Sequence, residues 1–187
     1  MKHFAVGMCV LGLFIMLGGG CATSPDAQLT GPEVTLRLAP ERDLARQGVP
    51  FSFDPFLAPA DSLHSSDEFV TVVVDLALPA AARVSISGSV QGSEGVDLAR
   101  MYTKAQLRAY WLAHGRERDP DMVKRLDYLD RFYAPDLDFY AHKGRSQFYV
   151  VMIGKWSIPR PAKAMLTVSL GNGDPQQFEF DLPPLKK

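Results

Sequence analysis

Cysteine is scarce in this chain, and its placement excludes several kinds of chemistry. The sequence has two cysteines, Cys9 and Cys21, and both lie within the first 21 residues. If that segment is processed, the remaining domain has neither a free thiol nor a disulfide. Redox catalysis and thiolate–metal sites are therefore excluded for the mature domain.

An excess of charge of either sign is also absent. The 187 residues include 20 basic residues (Lys and Arg) and 21 acidic residues (Asp and Glu), so no net field would attract nucleic acid. Apolar residues make up 47% and aromatic residues 10% of the chain, which is typical of a globular protein. This length and composition predict one folded domain that does not bind nucleic acid.

The apolar run near the amino terminus is too short to span a bilayer. It covers fourteen residues, 4–17, and follows the basic residue Lys2. A spanning helix needs roughly 20 apolar residues, whereas a run of about this length is typical of a secretory signal peptide. Residues 18–20 are three glycines, which break a helix and present the small side chains that a signal peptidase requires. We therefore predict a cleaved export signal.

The residue after the glycines is Cys21. In this order of residues the chain resembles the bacterial lipoprotein family, whose lipobox has a large aliphatic residue and two small residues before an invariant cysteine. The resemblance implies cleavage between Gly20 and Cys21, diacylglycerol on the Cys21 thiol and an N-acyl chain on its new amino group. The family usually has leucine three positions before the cysteine, where this chain has Gly18. The alternative is a plain export signal that is cut near Ala22 or Ala27.

The resemblance also implies a location for the protein. A lipidated Cys21 would anchor it on the extracytoplasmic side of a membrane of the bacterial cell envelope, because two or three acyl chains hold a protein permanently. Ala22 is not the aspartate that retains lipoproteins in the inner membrane in one large bacterial group, and the choice between inner and outer membrane stays open. We predict a signal peptide over residues 1–20, a lipidated amino terminus and flexible tether over 21–32, and a folded domain over 33–187.

Alternation of apolar and polar residues predicts that the folded part is mainly antiparallel β-sheet. The predicted strands lie within residues 34–38, 70–78, 84–90, 147–156, 164–170 and 178–182. The fourth of these is apolar on both faces, as expected for a central strand. Residues 171–175, Gly-Asn-Gly-Asp-Pro, supply the turn that a hairpin between the last two strands needs. Six strands with turn-rich connections predict an immunoglobulin- or transthyretin-like β-sandwich.

A helical hairpin is predicted to interrupt the strands at about residues 103–134. Thr103 and Gln106 have the spacing of a capping box, and Leu107, Tyr110, Trp111 and His114 follow at helical spacing, with Gly115 at the end. A second helix is predicted to begin at Asp119 and Pro120. Its inward-facing residues are predicted to be Val123, Leu126, Leu129 and Tyr133.

Sequence signals of catalysis are weak. His64, His114 and His142 lie far apart in the chain, and no His-x-x-x-His pair or Gly-x-Ser-x-Gly motif occurs. Asp136 and Asp138 could contribute oxygens to Ca²⁺, but a calcium loop needs more oxygen ligands at regular intervals and a glycine. We therefore predict that the protein is not an enzyme and needs no metal or cofactor beyond the lipid on Cys21.

Residues 126–145 are the best candidate for a ligand site because aromatic and acidic side chains alternate there. Aromatic faces beside carboxylates can hold a sugar or a cationic group. The candidate ligand-binding residues are Tyr128, Tyr133, Asp136, Asp138 and Tyr140. The alternative is that the aromatic rings cover the edge of the sandwich while the aspartates face water.

A second candidate surface lies in a proline-rich segment before the second predicted strand. Phe51, Phe53 and Phe56 could form an exposed patch that binds a partner, or they could fold back onto the domain. Through its candidate lipobox the chain resembles small envelope lipoproteins generally, including secretion-apparatus lipoproteins built on transthyretin-like sandwiches, and no motif outside the lipobox supports the narrower analogy. The sequence predicts a membrane-anchored, non-enzymatic binding or scaffold module for another envelope protein. The alternative is a solute-binding lipoprotein that takes a sugar or Ca²⁺ through residues 126–145.

Overall fold

Most of the described chain is β-strand. The computed structural model describes residues 31–39, 55–56, 67–114, 121–155 and 157–184, of which 52% are strand and 18% helix. In chain order the elements are β1 Glu33–Leu38, β2 Glu68–Leu78, β3 Ala82–Gly92, β4 Asp97–Met101, α1 Lys104–His114, α2 Met122–Phe132, β5 Asp138–Ala141, β6 Gly144–Gly154, β7 Ala162–Leu170 and β8 Gln176–Asp181. The prediction of a mainly β protein is confirmed.

The strands form one antiparallel sheet that is nearly closed into a barrel. Its order is β1-β2-β6-β4-β3-β7-β8, and β5 also pairs with β3. β4 pairs with residues 89–91 of β3, whereas β5 pairs with residues 82–85. β4 and β5 thus occupy the two halves of one strand position, and the two helices lie between them in sequence. The antiparallel prediction is confirmed, and the immunoglobulin- or transthyretin-like sandwich stays a prediction.

The inside of the sheet is filled by the residues that the alternation predicts to face inward. On β3, Val84, Ile86 and Val90 are buried, while Ser85 and Ser87 are exposed. β7 follows the same alternation in its central residues. Because successive side chains of a strand point to opposite faces, one apolar row per strand is enough to build the core. The alternation that predicts a strand at residues 84–90 is therefore confirmed.

β2 and β6 are buried on both faces over part of their length. Their inner faces line the core, but Thr71 and Val73 of β2 and Tyr149 and Val151 of β6 are also buried on the outer face. Further along β2, the outward-facing Asp75 is only half-buried. Within the described residues, a second layer therefore covers one half of the outer face of these two strands and leaves the other half open.

The outer layer consists of both helices and a short segment that contains Pro55 and Phe56. The indole nitrogen of Trp111 donates a hydrogen bond to the Pro55 carbonyl at 3.0 Å. The ring of Phe69 on β2 packs edge-on against Trp111, with 6.0 Å between centroids. The Thr71 hydroxyl donates to the Phe56 carbonyl at 2.7 Å. These contacts attach the layer to β2, and we call the half of the outer face beneath it the covered half.

The first helix begins as the sequence predicts. The Gln106 N–H donates to the Thr103 hydroxyl at 3.1 Å, and the Thr103 N–H donates to the Gln106 side-chain oxygen at 2.9 Å. This reciprocal pair is a capping box, which satisfies two backbone donors that a helix start leaves without partners. Leu107, Tyr110 and Trp111 are buried. The predicted capping box and the apolar face of α1 are confirmed.

The inward face of the second helix differs from the prediction. α2 begins at Met122, after Asp121, and the predicted start at residues 119–120 lies outside the described residues. Its buried residues are Arg125 and Leu129, whereas Val123 is 75% exposed. At about 100° per residue, Val123 lies on the side of the helix opposite Arg125. The prediction that Val123 faces inward is wrong because the buried stripe runs through Arg125.

Candidate functional site

The structure separates four of the five predicted ligand-binding residues into two groups, and the fifth, Asp136, lies in neither. Tyr128 and Tyr133 pack around Phe56 over the covered half of the sheet. Asp138 and Tyr140 lie on β5, where both side chains are exposed. The segment that the sequence indicates as one site therefore contributes to two different places in the fold.

Phe56 is the centre of a buried aromatic cluster. Its ring is 1% exposed and stacks on Tyr149 of β6 with 4.6 Å between centroids. The rings of Tyr128 and Tyr133 lie 5.9 and 6.2 Å from it. Phe56 therefore belongs to the core and cannot contribute to an exposed partner patch, because its apolar ring is removed from water. Phe51 and Phe53 lie outside the described residues.

Tyr133 is a structural residue of this cluster. It is 2% exposed, and its hydroxyl donates to the Tyr102 carbonyl at 2.5 Å and accepts the Val151 N–H at 3.1 Å. Burial raises the pKa of Tyr133 above its ordinary value, so the hydroxyl stays neutral. Both hydrogen bonds are made to backbone groups of the domain, and together they connect the end of β4 to β6. Tyr133 is thus not available to a ligand.

Asp138 and Tyr140 line an open depression of about 620 Å³ at one end of the sheet. The register of β5 on β3 places Asp138 beside Ser85 and Tyr140 beside Arg83. The loop after β7 lines the opposite side of the depression. The lining residues are Ala81, Ala82, Arg83, Ser85, Asp138, Tyr140, Ser169, Gly171 and Asn172. We call this the Tyr140 depression.

An ion pair forms one wall of the Tyr140 depression. The Arg83 guanidinium donates to both carboxylate oxygens of Asp138, and the Nε–Oδ1 distance is 2.7 Å. The hydrogen bonds to Arg83 lower the pKa of Asp138, and those to Asp138 raise the pKa of Arg83. Because both side chains are well exposed, water screens this pair and it adds little stability. Its effect is to fix the orientation of two planar polar groups.

Tyr140 supplies an apolar surface beside those polar groups. Its side chain is 76% exposed, while its neighbour Phe139 turns inward and packs edge-on against Phe148 at 5.3 Å between centroids. An exposed ring face flanked by hydrogen-bonding groups can stack on a sugar or a cationic group. The Tyr140 depression therefore places an exposed ring face beside the Arg83–Asp138 ion pair.

The second predicted carboxylate does not join Asp138. Asp136 is exposed, and one of its oxygens accepts the N–H of the next residue, Leu137, at 2.7 Å. Both oxygens of Asp138 are engaged by Arg83. In the part of the chain that the structure describes, no group of three or more His, Cys, Asp or Glu side chains could hold a metal ion.

A second depression, of about 410 Å³, lies on the open half of the outer face of β1, β2 and β6. The strand registers place its side chains in two rows across the sheet, Glu33–Ala77–Arg145 and Thr35–Asp75–Gln147. The small side chain of Ala77 stands between two long charged ones and forms the floor. In the second row, the Gln147 amide donates to Asp75 at 2.5 Å. We call this the Ala77 depression.

Sequence reasoning missed Arg83 and Glu33, and it did not single out Arg145, the last residue of the candidate segment 126–145. Arg83 lies 55 positions from Asp138 in the chain. Glu33 and Arg145 lie in one row only because β1 and β6 both pair with β2. Alternation shows that these residues point outward, but it does not show which outward residues are neighbours. A strand register would have been needed to find either depression from the sequence.

The residues that carry the lipoprotein resemblance lie outside the described part of the chain, and this includes Gly20 and Cys21. No helix within the described residues is both long and apolar enough to cross a membrane. The comparison with protein-family models finds no matching family, and no curated protein matches the chain.

Proposed function

We propose that this protein is a lipid-anchored envelope lipoprotein whose β domain is a non-enzymatic binding or scaffold module. The observation that carries the proposal is the order of residues at the amino terminus: a short apolar run, three glycines and Cys21. A signal that ends on a cysteine gives the mature protein an acylated amino terminus. The domain would then stand on the extracytoplasmic side of an envelope membrane.

The finer fold assignment belongs to the same proposal. We propose that the domain is an immunoglobulin- or transthyretin-like sandwich, the second of which is the fold of secretion-apparatus lipoproteins. Antiparallel pairing and inward-facing apolar rows on alternate residues support this assignment. In such a module the binding residues lie on loops and on outward strand positions, while the inner rows serve only packing.

Metabolic labelling with palmitate tests the anchor. We expect the wild-type protein to incorporate label and Cys21→Ala to incorporate none, because the thiol that forms the thioether is removed. Cys9→Ala is the matched control: Cys9 lies inside the apolar run, so its removal leaves labelling unchanged. Labelling of Cys21→Ala at the wild-type level, or an unlabelled wild type, would overturn the anchor.

The partner is tested by crosslinking in intact cells. We expect recovery of a defined envelope protein that crosslinks to the wild type. Recovery of lipid without any protein neighbour would contradict the scaffold function.

The Tyr140 depression favours a second candidate function, the binding of a small solute. The exposed Tyr140 ring beside the paired Arg83 and Asp138 offers the stacking surface and the planar polar groups that a sugar needs. A ligand present at 100 times its dissociation constant adds about 2.7 kcal/mol to the free energy of unfolding. We expect a thermal shift with one member of a panel of sugars, with Ca²⁺ included, and no shift in Tyr140→Ala. No shift of the wild type with any member would exclude this candidate.

A further inference from the structure

The two depressions lie at the same end of the sheet. β1 begins there, with Glu33 opposite Ala77 near the end of β2. The β5–β6 turn meets the same end, since Leu78 pairs with Gly144, and so do the start of β3 and the loop after β7. We define the amino-terminal pole as residues 31–33, 79–83, 138–145 and 170–176. The opposite pole consists of residues 67–69, 92–98, 154–155, 157–163 and 181–184.

The amino-terminal pole is the end of the domain that is closest in sequence to the candidate anchor. Eleven residues separate Cys21 from Glu33, and a chain of that length reaches at most about 36 Å. β2 has eleven residues, so the opposite pole lies about 36 Å further along the sheet. A lipid on Cys21 therefore places the amino-terminal pole next to the bilayer surface.

The side chains of this pole suit the interface between lipid and water. Tyr140 is the most exposed large aromatic residue of the described chain, and rings that combine an apolar face with a polar hydroxyl are enriched at the level of lipid headgroups. Lys143 and Arg145 are exposed beside it, on the β5–β6 turn and the start of β6. Long cationic side chains at such positions can reach lipid phosphates.

The charges of the amino-terminal pole cancel. The basic residues are Arg83, Lys143 and Arg145, and the acidic residues are Glu33, Asp138 and Asp174. In the Ala77 depression the acidic Glu33 and the basic Arg145 stand on either side of one alanine. That arrangement fits a zwitterionic headgroup, in which a phosphate and an ammonium lie close together. In the described part of the opposite pole, acidic residues outnumber basic ones.

We propose that the amino-terminal pole lies on the bilayer surface, with the Tyr140 ring among the headgroups and the Glu33–Arg145 row on a zwitterionic phospholipid. This inference rests on the proposed lipid anchor. It goes further because it assigns one orientation to the domain. The Tyr140 depression then faces lipid rather than the aqueous phase of the envelope.

The scarcity of cysteine makes a site-specific test straightforward. In the mature lipidated protein Cys9 has left with the signal and the Cys21 thiol is acylated, so one introduced cysteine is the only free thiol. His142→Cys places a fluorophore on the exposed β5–β6 turn and keeps Tyr140. Val96→Cys is the matched control, because Val96 is 56% exposed at the opposite pole.

The labelled lipoproteins are reconstituted into phosphatidylethanolamine–phosphatidylglycerol vesicles that contain lipids with a quencher on the headgroup. We expect several-fold stronger quenching at position 142 than at position 96. We also expect Tyr140→Ala in the His142→Cys background to reduce it while the protein still floats with the vesicles. Equal quenching at the two positions in floating protein would overturn the docked orientation and leave the anchor intact. Protein that does not float would overturn the anchor itself.

Discussion

The outer face of β2 and β6 has two halves that differ in what lies on them. In the covered half, Thr71, Val73, Tyr149 and Val151 are buried beneath the helices and Phe56. In the open half the same strands carry Asp75, Ala77, Arg145 and Gln147, and they form the floor and wall of the Ala77 depression. Strand geometry is the same in both halves. The difference comes from a second layer that, among the residues the structure describes, is present over one half and absent over the other.

This comparison shows how one sheet can combine stability with a surface for binding. Apolar area removed from water contributes about 25 cal/mol per Å², so the covered half adds to the stability of the domain. The open half keeps polar groups in contact with water and accessible to a ligand. We therefore expect substitutions in the covered half to change stability and substitutions in the open half to change binding.

The largest effect is expected for Phe56→Ala. Removal of a buried phenylalanine costs about 3–5 kcal/mol, because the transfer free energy is lost and a cavity remains. Urea unfolding of the variant should show a loss in this range. The control is Gln147→Ala in the open half, which should change the free energy of unfolding by less than about 0.5 kcal/mol. Equal losses in the two variants would contradict the distinction between the halves.

A smaller effect is expected for Tyr133→Phe. The ring remains in the aromatic cluster, but the Val151 N–H and the Tyr102 carbonyl lose the hydroxyl that they both contact. Buried polar groups left without a partner cost about 1–3 kcal/mol. The same unfolding experiment measures this loss. Tyr140→Phe removes a hydroxyl from an exposed ring and should leave the free energy of unfolding unchanged. A similar loss of stability in both variants would contradict the structural role of the Tyr133 hydroxyl.

The smallest effect is expected for the ion pair of the Tyr140 depression. Arg83 lowers the pKa of Asp138, so Arg83→Gln should raise it towards the ordinary value of about 3.9. NMR titration of the carboxyl carbon measures the change. Because the folded-state pKa is lowered, stabilisation by this pair is present above the ordinary pKa and is lost as the pH falls through the lowered one.

A matched control for the titration lies on the helices. Arg108 pairs with Asp130 at 2.9 Å, away from β5, so Arg108→Gln should leave the titration of Asp138 unchanged. If Arg83→Gln leaves the pKa of Asp138 unchanged, the ion pair between Arg83 and Asp138 is contradicted.

The sequence predicts those parts of the fold that depend on local patterns. Alternation predicts the inward residues of β3, and the spacing of Thr103 and Gln106 predicts the start of α1. β4 and β5 were not predicted, because four or five residues are too few to show a period. The prediction for Val123 is wrong because the helical spacing of the four residues predicted to face inward does not show that Arg125 is buried beside them.

The candidate site was predicted only in part for a related reason. The sequence indicates Asp138 and Tyr140, and their spacing of two residues places them on the same side of β5. Their neighbours come from β3 and from the loop after β7, which are brought together by strand register. The sequence leaves open whether Phe56 is exposed or folded back onto the domain, because the buried rings that surround it come from distant parts of the chain.

The pairing of β2 with β6 has a consequence for how the domain folds. Glu68 pairs with Gly154 and Leu78 with Gly144, so each contact of this pairing closes a loop that contains three strands and both helices. Closing such a loop costs entropy before any of its contacts are gained. Domains dominated by pairings of this kind fold on a timescale of about milliseconds to seconds, more slowly than helical domains. The β2–β6 pairing is therefore expected to form late, after the local hairpins β3–β4 and β7–β8.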